Sequence, residues 1–319
     1  MSSRQDSPAQ KASKEPRPAR PLLHVVGAGA AGTGLARRLA LAGWPVGSVV
    51  CRTVERARER RALIGAGEPA SMDAWPAAAE APAASDQPAV VLLIAVPDRV
   101  IADRAKALAQ RPWPPGSVAL HLSGSVEVDA LGDLAAAGLA TGGLHPLKSF
   151  VDPQRDAESL PGTVFALEGA APALAVAEEM VTACAGSAFG LAPGRRPAWH
   201  AAAAHGANHL VALVDQCLDI AEHAGLQRDQ ARAALLPLLQ GTLENLTHHR
   251  PHDALTGPIA RGDTVAVEKH LQALRELPHD VSAAYQSLAL RALGLALQTG
   301  SLSGRCEQTL RDLLRGHTP

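Results

Sequence analysis

The sequence predicts an α/β protein: a doubly wound parallel sheet at the N-terminal side, followed by an all-α C-terminal domain. Three observations carry this. Continuous apolar runs such as Val90 to Val96 and Val118 to Leu122 alternate with helical periodicity. A glycine-rich turn separates the first apolar run from the first helix, and strand signals vanish after Pro197. Continuous apolar strands between helices mark a parallel sheet covered on both faces.

The first run, Leu22 to Val26, leads into Gly27-Ala28-Gly29-Ala30-Ala31-Gly32. This Gly-x-Gly-x-x-Gly turn is the fingerprint of a Rossmann βαβ unit. Gly27 permits the tight turn, Gly29 clears space for a pyrophosphate, and Gly32 lets helix and sheet pack closely. A helix follows with Leu35, Leu39 and Ala42 on one face and Gly43 at its C′ position. Val46 to Cys51 is the second strand, Arg52 to Ile64 a charged helix, and 68–88 an irregular connection anchored by Met72 and Trp75.

Val90 to Val96 is then a strand stopped by Pro97. Val100 to Ala109 is a helix, Val118 to Leu122 a strand and Val126 to Ala137 a helix. Leu139 to Leu144 is a short strand before His145-Pro146. Gly162 to Leu167, Pro172 to Ala185 and Ala188 to Leu191 continue as strand, helix and strand. Beyond them, Trp199 to Ala224, Arg228 to Leu246 with Pro237 as a kink, Thr264 to Leu277, Val281 to Leu297 and Gly304 to Leu314 read as helices. The expected organisation is a disordered tail (1–20), a Rossmann-like domain (21–195) and a helical substrate and dimerisation domain (196–319).

Composition bounds the function. The chain has 319 residues, 47% hydrophobic but only 3% aromatic, with formal net charge −1. That balance points away from nucleic acid and anionic membranes. No apolar run is long enough to span a bilayer, and residues 1–20 lack the apolar core of a secretory signal. Four dispersed cysteines form no CxxC pair, which suits reduced thiols in the cytoplasm. His205 and His209 have helical i, i+4 spacing but no third ligand, so no metal is expected.

The second strand ends Cys51-Arg52-Thr53, where an NAD enzyme usually carries an acid for the ribose hydroxyls. Arg52 can pair with a 2′-phosphate and Thr53 can donate to it, so NADP is expected over NAD. Val96 and Pro97 form an apolar wall, and Asp98 and Ser123 follow the carboxyl ends of strands, where such sheets bind ligands. Ser123 alternatively caps the segment starting at Val126.

Hydride delivery to a carbonyl or imine needs a proton donor at the atom gaining charge. His200 and Asn208 lie about 80° apart on the first long helix, roughly 12 Å apart along its axis. His145, at a strand end, competes with His200 for the acid role. Each also has a structural alternative: His200 could satisfy a buried carbonyl, and Asn208 could bridge helices. Arg261 sits in a loop punctuated by Gly257, Pro258 and Gly262 and can clamp a carboxylate. Otherwise it pairs with Asp263 to shape the turn.

The motifs His121-Leu-Ser-Gly124, His145-Pro-Leu-Lys-Ser-Phe150, Trp199-His200-Ala-Ala-Ala-Ala204, Asn208 and Leu255-Thr-Gly-Pro-Ile-Ala-Arg-Gly-Asp263 resemble one family. It is the predicted short-subunit dehydrogenase-like proteins, a Rossmann-like domain joined to domain of unknown function 2520. The N-terminal domain is also similar to pyrroline-5-carboxylate reductases, ketopantoate reductases and deazaflavin-dependent NADP oxidoreductases. The resemblance implies hydride transfer between NADP and a carbonyl, imine or deazaflavin, and a homodimer formed through the helical domain. It makes Thr256 and Lys148 candidate substrate residues beside Arg261. Lys148 stands where the family usually has Gln, and Trp199 where it usually has Tyr.

The sequence therefore points to an NADP-dependent oxidoreductase of small, carboxylate-bearing carbonyl or imine compounds. Alternatives are a non-catalytic NADP-binding sensor and a deazaflavin-dependent NADP oxidoreductase.

Overall fold

The computed structural model describes residues 20–75, 89–300 and 302–316. The predicted tail and most of the 68–88 connection lie outside these residues. The chain divides into two compact units, one ending at Ala207 and one starting at Asn208.

The first unit is an eight-stranded sheet in the order β3-β2-β1-β4-β5-β6-β7-β8. Its strands are β1 (Leu22–Val26), β2 (Val46–Cys51), β3 (Glu68–Ser71), β4 (Val90–Ile94), β5 (Val118–His121), β6 (Ala140–Pro146), β7 (Val164–Gly169) and β8 (Ser187–Gly190). Helices α1 (Ala30–Leu41), α2 (Val54–Ile64), α3 (Ile101–Ala109), α4 (Gly132–Ala136), α5 (Pro153–Glu158) and α6 (Ala171–Ala183) complete it, with the start of α7 (Arg196–His223). Two apolar clusters form, one around Leu23, Leu35, Leu93 and Phe165, the other around Leu92, Ile94, Ile101 and Leu134. Leu92 and Leu93 are both fully buried although they belong to different clusters. Adjacent strand residues point to opposite faces, so the sheet is covered on both.

Most elements match the sequence expectation. Gly43 is left-handed (φ 80°) directly after α1, as its C′ position requires. Three differences have physical reasons. Residues 68–71 form the edge strand β3 rather than an irregular link. Glu68-Pro69-Ala70-Ser71 has little intrinsic strand preference and is ordered by pairing with β2, and an edge tolerates its proline. The segment 126–137 is not one helix but a 3₁₀ turn, Val128–Leu131, followed by the five-residue α4, where Gly132 weakens helical continuity. Finally, β7 runs antiparallel to β6, whereas the other pairings are parallel. The link between them carries only the six-residue α5, and Leu147 N–H donates to Val164 O at 2.9 Å. The chain thus re-enters at the end it left, without the long crossover that a parallel return needs.

The second unit is helical. It holds the remainder of α7, then α8 (Arg228–His248), which continues through Pro237, and α9 (Pro251–Ala254). The short α10 (Pro258–Arg261) and the longer α11 (Thr264–Leu274), α12 (His279–Gln298) and α13 (Gly304–Leu314) follow. Ile259, Val267, Ala289, Leu293, Leu310 and Leu314 form its core. No helix among the described residues is long and apolar enough to cross a membrane.

Candidate functional site

The β1–α1 turn is shaped by side chains it cannot accommodate. Gly27 is left-handed (φ +79°), and a Cβ there would lie 2.5 Å from Val96 Cγ1. A Cβ on Gly32 would lie 2.5 Å from that of Ala95. A Cβ on Gly29 would meet nothing within 4 Å, so no packing contact in the structure requires that glycine. Gly29 caps α1 without a side-chain hydrogen bond, and the first turn holds no acid. The leading amides and the positive end of the helix dipole are left for an anion.

This turn borders a cleft of about 1070 Å³ at the carboxyl ends of β1, β2 and β4. The strand order reverses between β1 and β4, the position where open α/β sheets take ligands. Residues 27–32, Arg52, Thr53, residues 96–98 and Ser123 all line it. Arg56, which follows Arg52 by one turn, lines it as well, as do Arg99 and Arg104, which sequence reasoning did not single out. Glu55, Glu59 and Asp98 also line the cleft, and Arg56 pairs with Glu59 at 3.4 Å across an exposed surface. Such a pair is weak and readily re-partnered.

Two lining side chains also have structural work. Thr53 Oγ1 accepts from Arg56 N–H at 3.3 Å and caps α2. Ser123 Oγ accepts from Ser125 N–H (3.1 Å) and Val126 N–H (3.0 Å), a local turn rather than the helix cap raised above, since the 3₁₀ turn starts only at Val128 with Glu127 at its N-cap. Ser125 Oγ in turn donates to Asp98 Oδ2 at 2.7 Å.

Beside Ser123 stands a second group. His145, on β6, has Nδ1 at 3.1 Å from Leu122 O. A carbonyl only accepts, so Nδ1 carries the hydrogen. Burial pushes the His145 pKa below its ordinary value, helped by His200 and Arg196 and opposed by the Leu122 bond and Asp98. The ring is therefore neutral near pH 7, with a lone pair on Nε2. His200, in the second turn of α7, faces it edge-on with ring centroids 5.9 Å apart. His200 Nδ1 is buried and has no hydrogen-bond partner. Both rings close on Gly124, where a Cβ would lie 2.5 Å from His200 Nδ1 and 2.7 Å from His145 Nε2.

A buried charge pair supports this group. Arg196 is fully buried, and its Nε donates to Glu168 Oε2 at 2.6 Å and its Nη1 to Ser123 O at 2.7 Å. Burial raises the Glu168 pKa, the bond and charge of Arg196 oppose that rise, and Glu127 adds to it. His121, Gly143 and Glu168 stand side by side in the sheet register. A Cβ on Gly143 would collide with the Arg196 guanidinium, whose Cζ lies 2.5 Å from that position. The sequence reading passed over Glu168 and Arg196, although Glu168 is an acid within an apolar strand and Arg196 precedes His200 by one helical turn.

The remaining candidates lie elsewhere. Lys148 is half-buried after β6, its N–H on Pro146 O, and does not line the cleft. Asn208 is exposed on α7 in the second unit, and Arg261 is exposed at the end of α10. Asp263 accepts from Ala266 N–H at 3.0 Å and caps α11. Thr256 borders an apolar cavity of about 340 Å³ in the helical unit, with Cys217, Ile259, Leu288 and Tyr285. Tyr285 hydrogen-bonds His270 Nδ1 there at 3.0 Å.

No curated protein matches the sequence. Among solved structures, a protein from Thermotoga maritima is 24% identical, with a TM-score of 0.68 over 86% of this chain and 99% of its own. A reductive aminase from Aspergillus terreus, in complex with NADPH and ethyl levulinate, is 21% identical. Its TM-score is 0.59 over 94% of this chain and 100% of its own. A pyrroline carboxylate reductase from Plasmodium falciparum with NADP bound is 12% identical, with a TM-score of 0.53 over 92% and 98%. At these identities what is shared is the fold. Residues 163–292, from β7 into α12, match the family described as Domain of unknown function (DUF2520), the relation that the sequence motifs implied.

Proposed function

We propose that the protein is an NADP-dependent oxidoreductase that reduces a small carbonyl or imine compound. The observation that carries this reading is the uncapped start of α1 behind the glycine turn, opening on a cleft rimmed by Arg52, Arg56, Arg99 and Arg104. An uncapped helix start suits a pyrophosphate, and a guanidinium where an acid would grip ribose suits a 2′-phosphate. Arg52 and Thr53 are the residues that would hold that phosphate, with residues 27–32 on the pyrophosphate and Val96 and Pro97 walling the ring. The bound coenzyme supplies the hydride.

The protein's own part is orientation and the proton. His145, neutral and tethered to Leu122 O, offers an acceptor at Nε2. His200 is then the proton donor, and Ser123 can orient the reacting group. The similar solved structures of a reductive aminase and a pyrroline carboxylate reductase support an imine as acceptor. For the substrate's remainder we propose a carboxylate held by Arg261, with Asn208, Thr256 and Lys148 as further contacts.

A homodimer through the helical unit belongs to the same reading. Val211, Leu238 and Leu243 are exposed, and Ala231 is the buried residue of α8 among those described. Titration of the purified protein with NADPH and NADH, followed by a turnover panel of 2-oxo acids, cyclic imines and a deazaflavin, tests the proposal. Tighter NADPH binding with imine or oxo-acid turnover is expected. Binding without turnover of any member would favour a sensor, and equal affinity for the two coenzymes would reject the role of Arg52.

A further inference from the structure

The polypeptide strip Leu122-Ser123-Gly124 carries three different loads. Leu122 O holds His145 Nδ1, Ser123 O holds Arg196 Nη1, and the space beside Gly124 is taken by both His145 and His200. Arg196 and His200 are four residues apart on α7, so they lie on one helix face. The same guanidinium thus ties the helix that carries one imidazole to the strip on which the other is hung. Its third anchor, Glu168, belongs to β7. We propose that Arg196 is a positioning residue for the imidazole pair: locked by Glu168, it fixes the Ser123–Gly124 peptide against which His145 and His200 pack.

The placement is specific. Gly143, level with Glu168 in the register, has no side chain where the guanidinium lies, and the sheet could not otherwise seat it. Arg196 Nη2 is buried without a hydrogen-bond partner, so burial of the group is not repaid by full hydrogen bonding. A fork that is merely structural could be replaced by apolar packing. One whose charge also faces the imidazoles could not. The charged and titratable groups around His145 are His200 and Arg196, which oppose its protonation, and Asp98, which favours it. His121, fully buried and neutral, also feels Arg196, Asp98 and His145.

This inference rests on the reading of the cleft as a coenzyme site, and the test separates the two. Full-length protein with ¹⁵N-labelled histidine is titrated by NMR as wild type, Arg196→Lys and Arg196→Met. NADPH affinity and reduction of 1-pyrroline are measured on each. In Arg196→Met the His145 midpoint rises as the nearby positive charge is lost. Arg196→Lys keeps the charge and restores the midpoint. Its single ammonium cannot span Glu168 and Ser123 O, so kcat stays down about tenfold or more while KM is little changed. NADPH affinity falls less than kcat in both, because Arg196 does not itself line the cleft and meets it only through the Ser123 carbonyl. If Arg196→Met does not fold, the double variant Arg196→Met/Glu168→Met removes both charges of the pair, so its His145 midpoint stays near the wild type while kcat still falls, because the Ser123 carbonyl has lost its anchor. Wild-type kcat in both Arg196→Met and Arg196→Lys would overturn the proposal. Failure of the wild type to bind NADPH or reduce 1-pyrroline would count against the coenzyme or imine reading instead, and the titration would still decide the role of Arg196.

Discussion

His145 and His200 meet edge-to-face, their ring centroids 5.9 Å apart, and both crowd the side-chain position of Gly124. One ring comes from the sheet and the other from α7, so the pair exists only when the strand end and the helix start are brought together. The lone pair on His145 Nε2 and the unpartnered Nδ1 of His200 both lie within 3 Å of where a Gly124 side chain would begin.

Replacing that glycine tests the pair without altering charge. Gly124→Ala should fold, because what its methyl meets is side chain rather than backbone. The rings must then shift, and misplacement on the ångström scale costs about 10²-fold in rate. The proposed reduction should fall by that order in kcat, with NADPH affinity unchanged by fluorescence titration.

The three glycines of the first turn should separate by phenotype. Gly27→Ala and Gly32→Ala drive a methyl into Val96 or Ala95, and overpacking of this kind costs about 1–3 kcal/mol, more at Gly27 because of its positive φ. Both should lower the Tm. Gly29→Ala has open space around it and should leave the Tm in place while weakening NADPH binding.

Arg52 and Thr53 divide the work at the end of β2. Removing a charge-assisted contact costs about 1.5–3 kcal/mol, so Arg52→Ala should weaken NADPH by about tenfold or more and leave NADH nearly unaffected. Thr53→Ala should in addition destabilise α2 by about 1 kcal/mol, since Thr53 caps Arg56 N–H. Calorimetric titration and thermal melts distinguish the two.

Acid should destabilise the fold through two histidines. Burial lowers His24 to about 4 and His121 to about 3 from the ordinary 6.5. Above pH 6.5 both are neutral whether folded or unfolded, and stability is full. Below 6.5 the unfolded chain takes up protons that the folded chain refuses. Stability therefore falls by about 1.4 kcal/mol per pH unit for each histidine, down to about pH 4 for His24 and pH 3 for His121. In His121→Leu the decline of Tm between pH 6.5 and 4 should be visibly shallower. An unchanged slope would show that other groups set the acid limit.

The exposed apolar side chains of the helical unit give a simple test of assembly. Val211 is 72% and Leu238 65% exposed. If they are covered by a second copy, Leu238→Arg should shift sedimentation from dimer to monomer at micromolar concentration, with the far-ultraviolet dichroism retained.

How much of this was legible in the sequence depends on the range of the interaction. Strand and helix periods, the glycine turn and its conformational demands, and the arginine in place of an acid after β2 are local, each readable within about 30 residues. The DUF2520 relation also lay in contiguous motifs, of which Leu255 to Asp263 is one. The edge strand β3 was not legible, because Glu68-Pro69-Ala70-Ser71 owes its conformation to β2. Nor was the reversal of β7, which depends on where a 17-residue link closes.

The sequence alone determined the α/β class and the turn that awaits an anion, since glycine sterics and apolar period act over a few residues. Tertiary structure alone decided that Arg196, the first residue of the expected helical domain, is a fully buried core residue. It also seated Glu168 beside that guanidinium and brought His145 against His200. A charge is kept in a core only by partners from distant segments, here β7 and the loop after β5, and no local pattern encodes their meeting.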